Sequence, residues 1–212
     1  MKLDNDQSSP DSGQWRDHCS RVWMGLRDWW NRRGANSEDP RLRRWREDWS
    51  KTAGAAESRD IARMGAELDA FGLPEEEIEI EREMLQALRE RDELLSSVRE
   101  SGLPRVETGH RVVRAEPCHY SAPVSMPDEP GQPSGRLLLT SGRAIFAGGG
   151  SGLAAAWHMI SDALHMERDV VLVRNGREQV YRFRCNTYGD ALRAAFIAGQ
   201  LLAARRRSPP GL

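Results

Sequence analysis

Apolar and polar positions alternate with period two through the last third of the chain. Arg136-Leu-Leu-Leu-Thr140 and Arg143-Ala-Ile-Phe-Ala147 are two β-rich runs split by Ser141-Gly142, which predicts a hairpin. A second pair has the same grammar: Asp169–Val173, the turn Arg174-Asn-Gly-Arg177, then Glu178–Cys185. Its Asn175-Gly176 is the strongest short hairpin dipeptide. In the return run Tyr181, Phe183 and Cys185 alternate with Arg182 and Arg184, predicting a strand with one wet face. The period then changes. Thr187, with Asp190 three residues on, reads as a helix N-cap, and Leu192, Phe196, Ile197 and Leu201 recur at helical spacing. A final helix from about Thr187 to Arg205 is expected to bury one face.

Upstream the pattern is helical. Trp15, Cys19, Val22, Trp23, Leu26 and Trp30 form one stripe, with Arg16, Arg21, Arg27, Arg32 and Arg33 on the other faces. After a break over 34–40, Asp39 ahead of Pro40 starts a second helix with a shorter stripe, Leu42, Trp45 and Trp49. Ser58–Phe71 predicts a third helix ending at Gly72. Pro74 with Glu75, Glu76 and Glu77 opens a fourth that reaches about Arg99 and stops at Gly102 and Pro104. Beyond Pro104, Val106–Val113 and Cys118–Val124 read as strands, with Cys118, Tyr120 and Ala122 inward, and 127–134 as a loop.

Three stretches carry a family resemblance: Gly135-Arg-Leu-Leu-Leu-Thr140, Arg143-Ala-Ile-Phe146, and Tyr181-Arg-Phe-Arg184 just before the last helix. Antiparallel hairpins closed by one C-terminal helix resemble the PH-like superfamily, in particular bacterial PH and GRAM-like domains. The likeness covers about a third of the chain. It implies an α+β fold: an N-terminal helical arm, then a PH/GRAM-like antiparallel β-barrel or sandwich capped by the C-terminal helix. It also implies that basic residues near the open end of the barrel meet phosphorylated lipid headgroups or a protein. No catalytic signature accompanies it, and fold alone confers no activity.

Composition adjusts this picture. The 212 residues are 39% hydrophobic and 30% charged, with mean hydropathy −0.66, which is polar for a single globule. The expected division is a disordered tail over 1–13, a Trp/Arg-rich then acidic helical region over 14–103, the β-domain over 104–205, and a flexible tail over 206–212. Net charge is −1, so no overall field argues for nucleic acid. Three scattered cysteines make no disulfide framework, and no secretory or membrane-spanning run is present. A cytoplasmic protein, bacterial in residue usage and placed at most peripherally at the inner membrane face, is the expectation.

The chemical lures are weak. Gly148, Gly150 and Gly152 are spaced one residue short of a dinucleotide fingerprint, too few residues follow for that fold, and the glycines read as a hairpin loop. Histidines 110, 119, 158 and 165 and the cysteines lack metal-ligand spacing, and no nucleophile with a base can be assembled. No cofactor and no enzyme activity are expected. The expected binding residues are electrostatic, Arg174, Arg177, Arg182 and Arg184, with Trp15, Trp23, Leu26, Trp30, Trp45 and Trp49 as a membrane or partner helix. Two readings follow. One is a protein-interaction module whose arm mediates self-association or partner binding. The other is a peripheral sensor of anionic lipid that uses basic loops and an amphipathic Trp helix.

Overall fold

A computed structural model of the chain describes residues 39–113, 115–148, 152–176 and 179–207. The sites expected at Trp15, Trp23, Leu26, Trp30 and Arg177, and the tail over 1–13, lie outside the described residues. Four helices are described: α1 (Pro40–Thr52), α2 (Ser58–Ala70), α3 (Glu79–Ser101) and α4 (Tyr188–Arg207). Seven strands lie between α3 and α4: β1 (Cys118–Ser125), β2 (Ser134–Thr140), β3 (Arg143–Gly148), β4 (Gly152–Ala156), β5 (Ile160–Met166), β6 (Asp169–Arg174) and β7 (Val180–Cys185). The fold is α+β. Asp39 begins α1 as expected: its carboxylate accepts the Arg41 N–H at 2.8 Å, and Pro40 takes the first helical position. Residues from Arg44 onward belong to one compact unit.

The strands form one antiparallel sheet in the order β4-β3-β2-β1-β7-β6-β5. It is a four-strand meander joined to a three-strand meander through a short β1–β7 pairing, Val124↔Cys185 and Ser125↔Arg184. The expected barrel or sandwich is therefore an open sheet with two edges, β4 and β5. Both expected hairpins form, β2–β3 and β6–β7. Thr140 closes the first, its hydroxyl accepting the Arg143 N–H at 3.1 Å. The second does not close on its Asn-Gly pair: Arg174 N–H bonds Gln179 O. Gly176 there sits at φ +65, where a side chain would be strained.

Two stretches depart from the expected pattern. Residues 106–113 are not a strand; they fold back over the sheet, with Val106 N–H on Cys118 O and a 3₁₀ turn at Arg111–Val113. Within β1 the register shifts between Cys118 and Tyr120. One extra residue reverses the faces, so Cys118 joins Leu138, Ile145 and Val113 on one side while Tyr120 and Ala122 face the main core. Strict alternation had put all three inward.

The main core lies between the sheet and α4. Leu137, Leu139, Phe146, Leu172 and Phe183 from the strands meet Ala191, Ala194, Ile197, Ala198 and Leu201 of α4. Phe146 and Phe183 stack at 6.2 Å. Trp157 is 2% exposed and donates its indole N–H to Thr140 O at 2.8 Å. Thr187 caps α4, accepting the Asp190 N–H at 3.0 Å.

The helices from Arg44 onward are not an arm. α3 packs on the outer side of α4 and α2 packs on α3, so α4 is covered on both faces. At the crossing, a Cβ on Gly189 would lie 2.7 Å from Glu90 Oε2 and 3.9 Å from Ala87 Cα, so glycine permits the approach. Arg193 pairs with Glu90 at 2.8 Å, and the Arg91 guanidinium lies 5.8 Å from the Phe196 ring centre. The boundary expected at 103/104 thus separates helices from strands within one body.

Candidate functional site

Trp45 and Trp49 do not form a lipid- or partner-facing stripe. Both are fully buried. Trp45 donates its indole N–H to Met64 O at 3.0 Å, and Trp49 donates to Met84 O at 2.8 Å. An indole that spends its one donor on a buried carbonyl, with its ring covered, is a packing element. Trp49 also meets His165 edge-on at 5.8 Å and Tyr188 at 5.6 Å, tying α1 to β5 and to the start of α4. The Arg168 guanidinium covers the Tyr188 ring at 4.9 Å, and Glu83 holds both Arg168 and the Tyr188 N–H.

The arginines expected to bind are brought together only in part. Arg182 and Arg184 extend from the same face of β7, as the alternation required, but both converge on Asp169 at the start of β6. Asp169 is 6% exposed. It receives Arg182 Nε at 2.7 Å and Arg184 Nε at 2.8 Å, and Arg182 also reaches Asp128 at 3.1 Å. The hydrogen bonds to Asp169 hold the Arg184 guanidinium above its ordinary range. The strand face that looked cationic is therefore largely neutralised internally. The partner, Asp169, was visible in the sequence only as a polar residue opening a strand.

Arg174 stands elsewhere, at the β6–β7 loop. It lies 5.4 Å from the centre of the Tyr181 ring and donates to Gln179 Oε1 at 2.8 Å. Asn175 links this loop to the β4–β5 connection, its N–H bonding Met159 O at 2.8 Å and its amide bonding His158 O. Arg206, near the end of α4, donates to Ser161 O. One tip of the sheet therefore carries Arg174 and Arg206 beside Met159 and Val180, two of the exposed large apolar residues.

Burial shifts several titratable groups toward their neutral forms. Burial pushes the Cys185 thiol up to about 12 and raises Cys118 as well. Burial, with Arg91 nearby, lowers His165 to about 4. Burial raises Glu167. Among the described residues no group of three or more His, Cys, Asp or Glu side chains is placed to hold a metal ion. None of the described helices is long and apolar enough to cross a membrane.

No family model and no curated protein sequence matches the chain. A solved structure of the Vav1 exchange factor, described for the structural role of its PH and C1 domains, is similar at 11% identity and a TM-score of 0.35. The match covers 90% of this chain and 55% of that one. At that TM-score the likeness adds nothing to what the strand order already shows.

The surface that sequence reasoning missed is β4. Gly152 read as part of a hairpin loop, yet Gly152–Ala156 is the edge strand beside β3. Gly, Ala and Leu carry little strand propensity, so no local signal could have found it.

Proposed function

We propose that this chain is a non-catalytic protein-interaction module built on a PH/GRAM-like domain and acting through self-association or a protein partner. The PH/GRAM-like element of the reading rests on the resemblance of its hairpin sequences and on antiparallel hairpins closed by one C-terminal helix. The observation that carries the choice of protein over lipid is the Asp169 clamp. It occupies Arg182 and Arg184, while Trp45 and Trp49 are spent on Met64 and Met84. The described groups best suited to a headgroup layer are thus engaged within the molecule. The non-catalytic reading is supported by the raised, buried thiols, which are poor nucleophiles.

One feature favours the second reading, a peripheral membrane protein. Exposed Met159 and Val180 lie at the same tip as Arg174 and Arg206, an apolar contact beside basic charge that suits an anionic surface. Two measurements on the full chain separate the readings: sedimentation velocity over a concentration series, and co-sedimentation with neutral and anionic vesicles. The interaction module predicts concentration-dependent association and no vesicle binding. A protein that stays monomeric and pellets with anionic vesicles would overturn it in favour of the membrane reading.

A further inference from the structure

The two edges of the sheet are treated differently. β5 is guarded: its register shifts between Ile160 and Asp162, Asp162 is exposed, and Arg206 donates to the Ser161 carbonyl. Bulges, charges and covering side chains are the devices that keep an edge from pairing with another chain. Among the described residues β4 has none of them. Its sequence is Gly-Leu-Ala-Ala-Ala, without charge or proline, and its pairing with β3 is regular.

The register fixes which backbone groups are open. Trp157 N–H bonds Gly142 O, so in the continuing ladder Ala155 faces Ala144 and Leu153 faces Phe146 as hydrogen-bonded pairs. The alternate residues Gly152, Ala154 and Ala156 therefore point their N–H and C=O groups away from β3. Gly152 and Ala154 are exposed, and among the described residues nothing bonds these outward groups. The opposite side chains, Leu153 and Ala155, face the core; Ala155 is buried and Leu153 only partly.

We infer that this edge pairs with the same edge of a second copy, antiparallel about a two-fold axis through Ala154. In that arrangement Ala154 meets Ala154 of the second copy, Gly152 meets Ala156, and half-buried Leu153 lies across from Ala155. Every outward amide finds a carbonyl, and large meets small on the core side. A charge on the dyad would face its own copy, and position 154 carries alanine in a strand with no charge at all. The sheet runs through the dyad as an isologous contact. A single short strand buries far less than the about 1,200 Å² of a stable interface, so the product is a weak, concentration-dependent dimer. This inference rests on the interaction-module reading and names its surface.

The experiment is sedimentation velocity of the full chain up to about 1 mM, a range that reaches weak dimers, for wild type, Ala154→Pro and Ala154→Lys. Proline at an outward-facing edge position removes one open N–H without touching the β3 ladder. Lysine places like charges opposite each other across the dyad. The expected result is a wild-type monomer–dimer equilibrium weakened roughly tenfold or more by either substitution, with melting temperature unchanged. Dimerisation that survives both substitutions would overturn the β4 assignment and leave the interaction reading standing. A wild-type monomer at every concentration would overturn the dimer; with no binding of another protein, the interaction reading would fall too. Hydrogen exchange gives a second readout: slowing at Ala154 and Ala156 with rising concentration supports the pairing, and slow exchange at all concentrations refutes it.

Discussion

Arg184 grips Asp169 with two nitrogens, Nε to Oδ1 at 2.8 Å and a terminal nitrogen to Oδ2 at 3.0 Å, and Arg182 Nε closes on the same carboxylate at 2.7 Å. One nearly buried acid thus sets the side-chain geometry of a whole strand face. Asp169→Asn keeps the shape and removes the charge. Breaking a buried ion pair from one side costs about 3 kcal/mol, which lowers the melting temperature by roughly 10 °C in a chain of this size. The measurement is thermal unfolding by circular dichroism. A drop no larger than that of a surface substitution would show that the clamp contributes little.

The indoles of α1 are tested by removing their donors while keeping an aromatic ring. Trp49→Phe takes the indole donor from the Met84 carbonyl and opens a small void, and Trp45→Phe does the same at Met64. Each is expected to cost about 2 kcal/mol, read from urea denaturation midpoints. A variant that unfolds in two steps would mean that the helical layer detaches before the sheet melts.

His165 makes stability depend on pH. Its folded value, about 4, lies below the ordinary 6.5, so between the two the unfolded chain binds the extra proton. The contribution is complete above pH 6.5 and is lost as pH falls towards 4. The whole shift corresponds to about 3 kcal/mol, but solvent reaches part of the residue, so the expected loss is about 2 kcal/mol. Carboxylates titrate in the same window, so the check is the difference between wild type and His165→Gln. The variant should lose less stability between pH 7 and pH 4.5.

Gly135 is a position where glycine is sterically required. A Cβ there would sit 2.4 Å from Ala147 O and 2.8 Å from the Phe146 ring. Gly135→Ala is expected to cost about 3 kcal/mol by displacing Phe146 from its stack on Phe183. Near-ultraviolet circular dichroism would report the loss of that aromatic packing. An unchanged spectrum and melting point would show that β2 and β3 can separate without penalty.

The hairpins and helix caps were legible because their signals are local. Ser141-Gly142, Thr187 and Asp39 each act within a few residues and end or start an element where expected, and Asn175-Gly176 marks the end of β6 although the return strand begins later than expected, at Val180. Long-range partners were not legible. Nothing near Trp45 or Trp49 in the sequence says that Met64 and Met84 present carbonyls to them, 19 and 35 residues away. The same amphipathic stripe serves a membrane surface or an interior, and only the second layer decides. Likewise Arg182 and Arg184 read as solvent-facing because alternation gives a side of the strand, not the acid waiting there. The bulge at His119 hid the true face of Cys118 for a related reason: period-two counting fails after one inserted residue.

With interior on two sides, α4 belongs equally to the strands and to the helices before them. Gly189, Leu192 and Ala195 are as buried a part of it as the residues that meet the sheet. A fragment that begins at Pro104 would leave that outer side bare to water, and it would clump rather than behave as a free-standing module. In inheritance, too, the pieces travel together: a recombination joint between residues 101 and 118 would hand a descendant half of a fold.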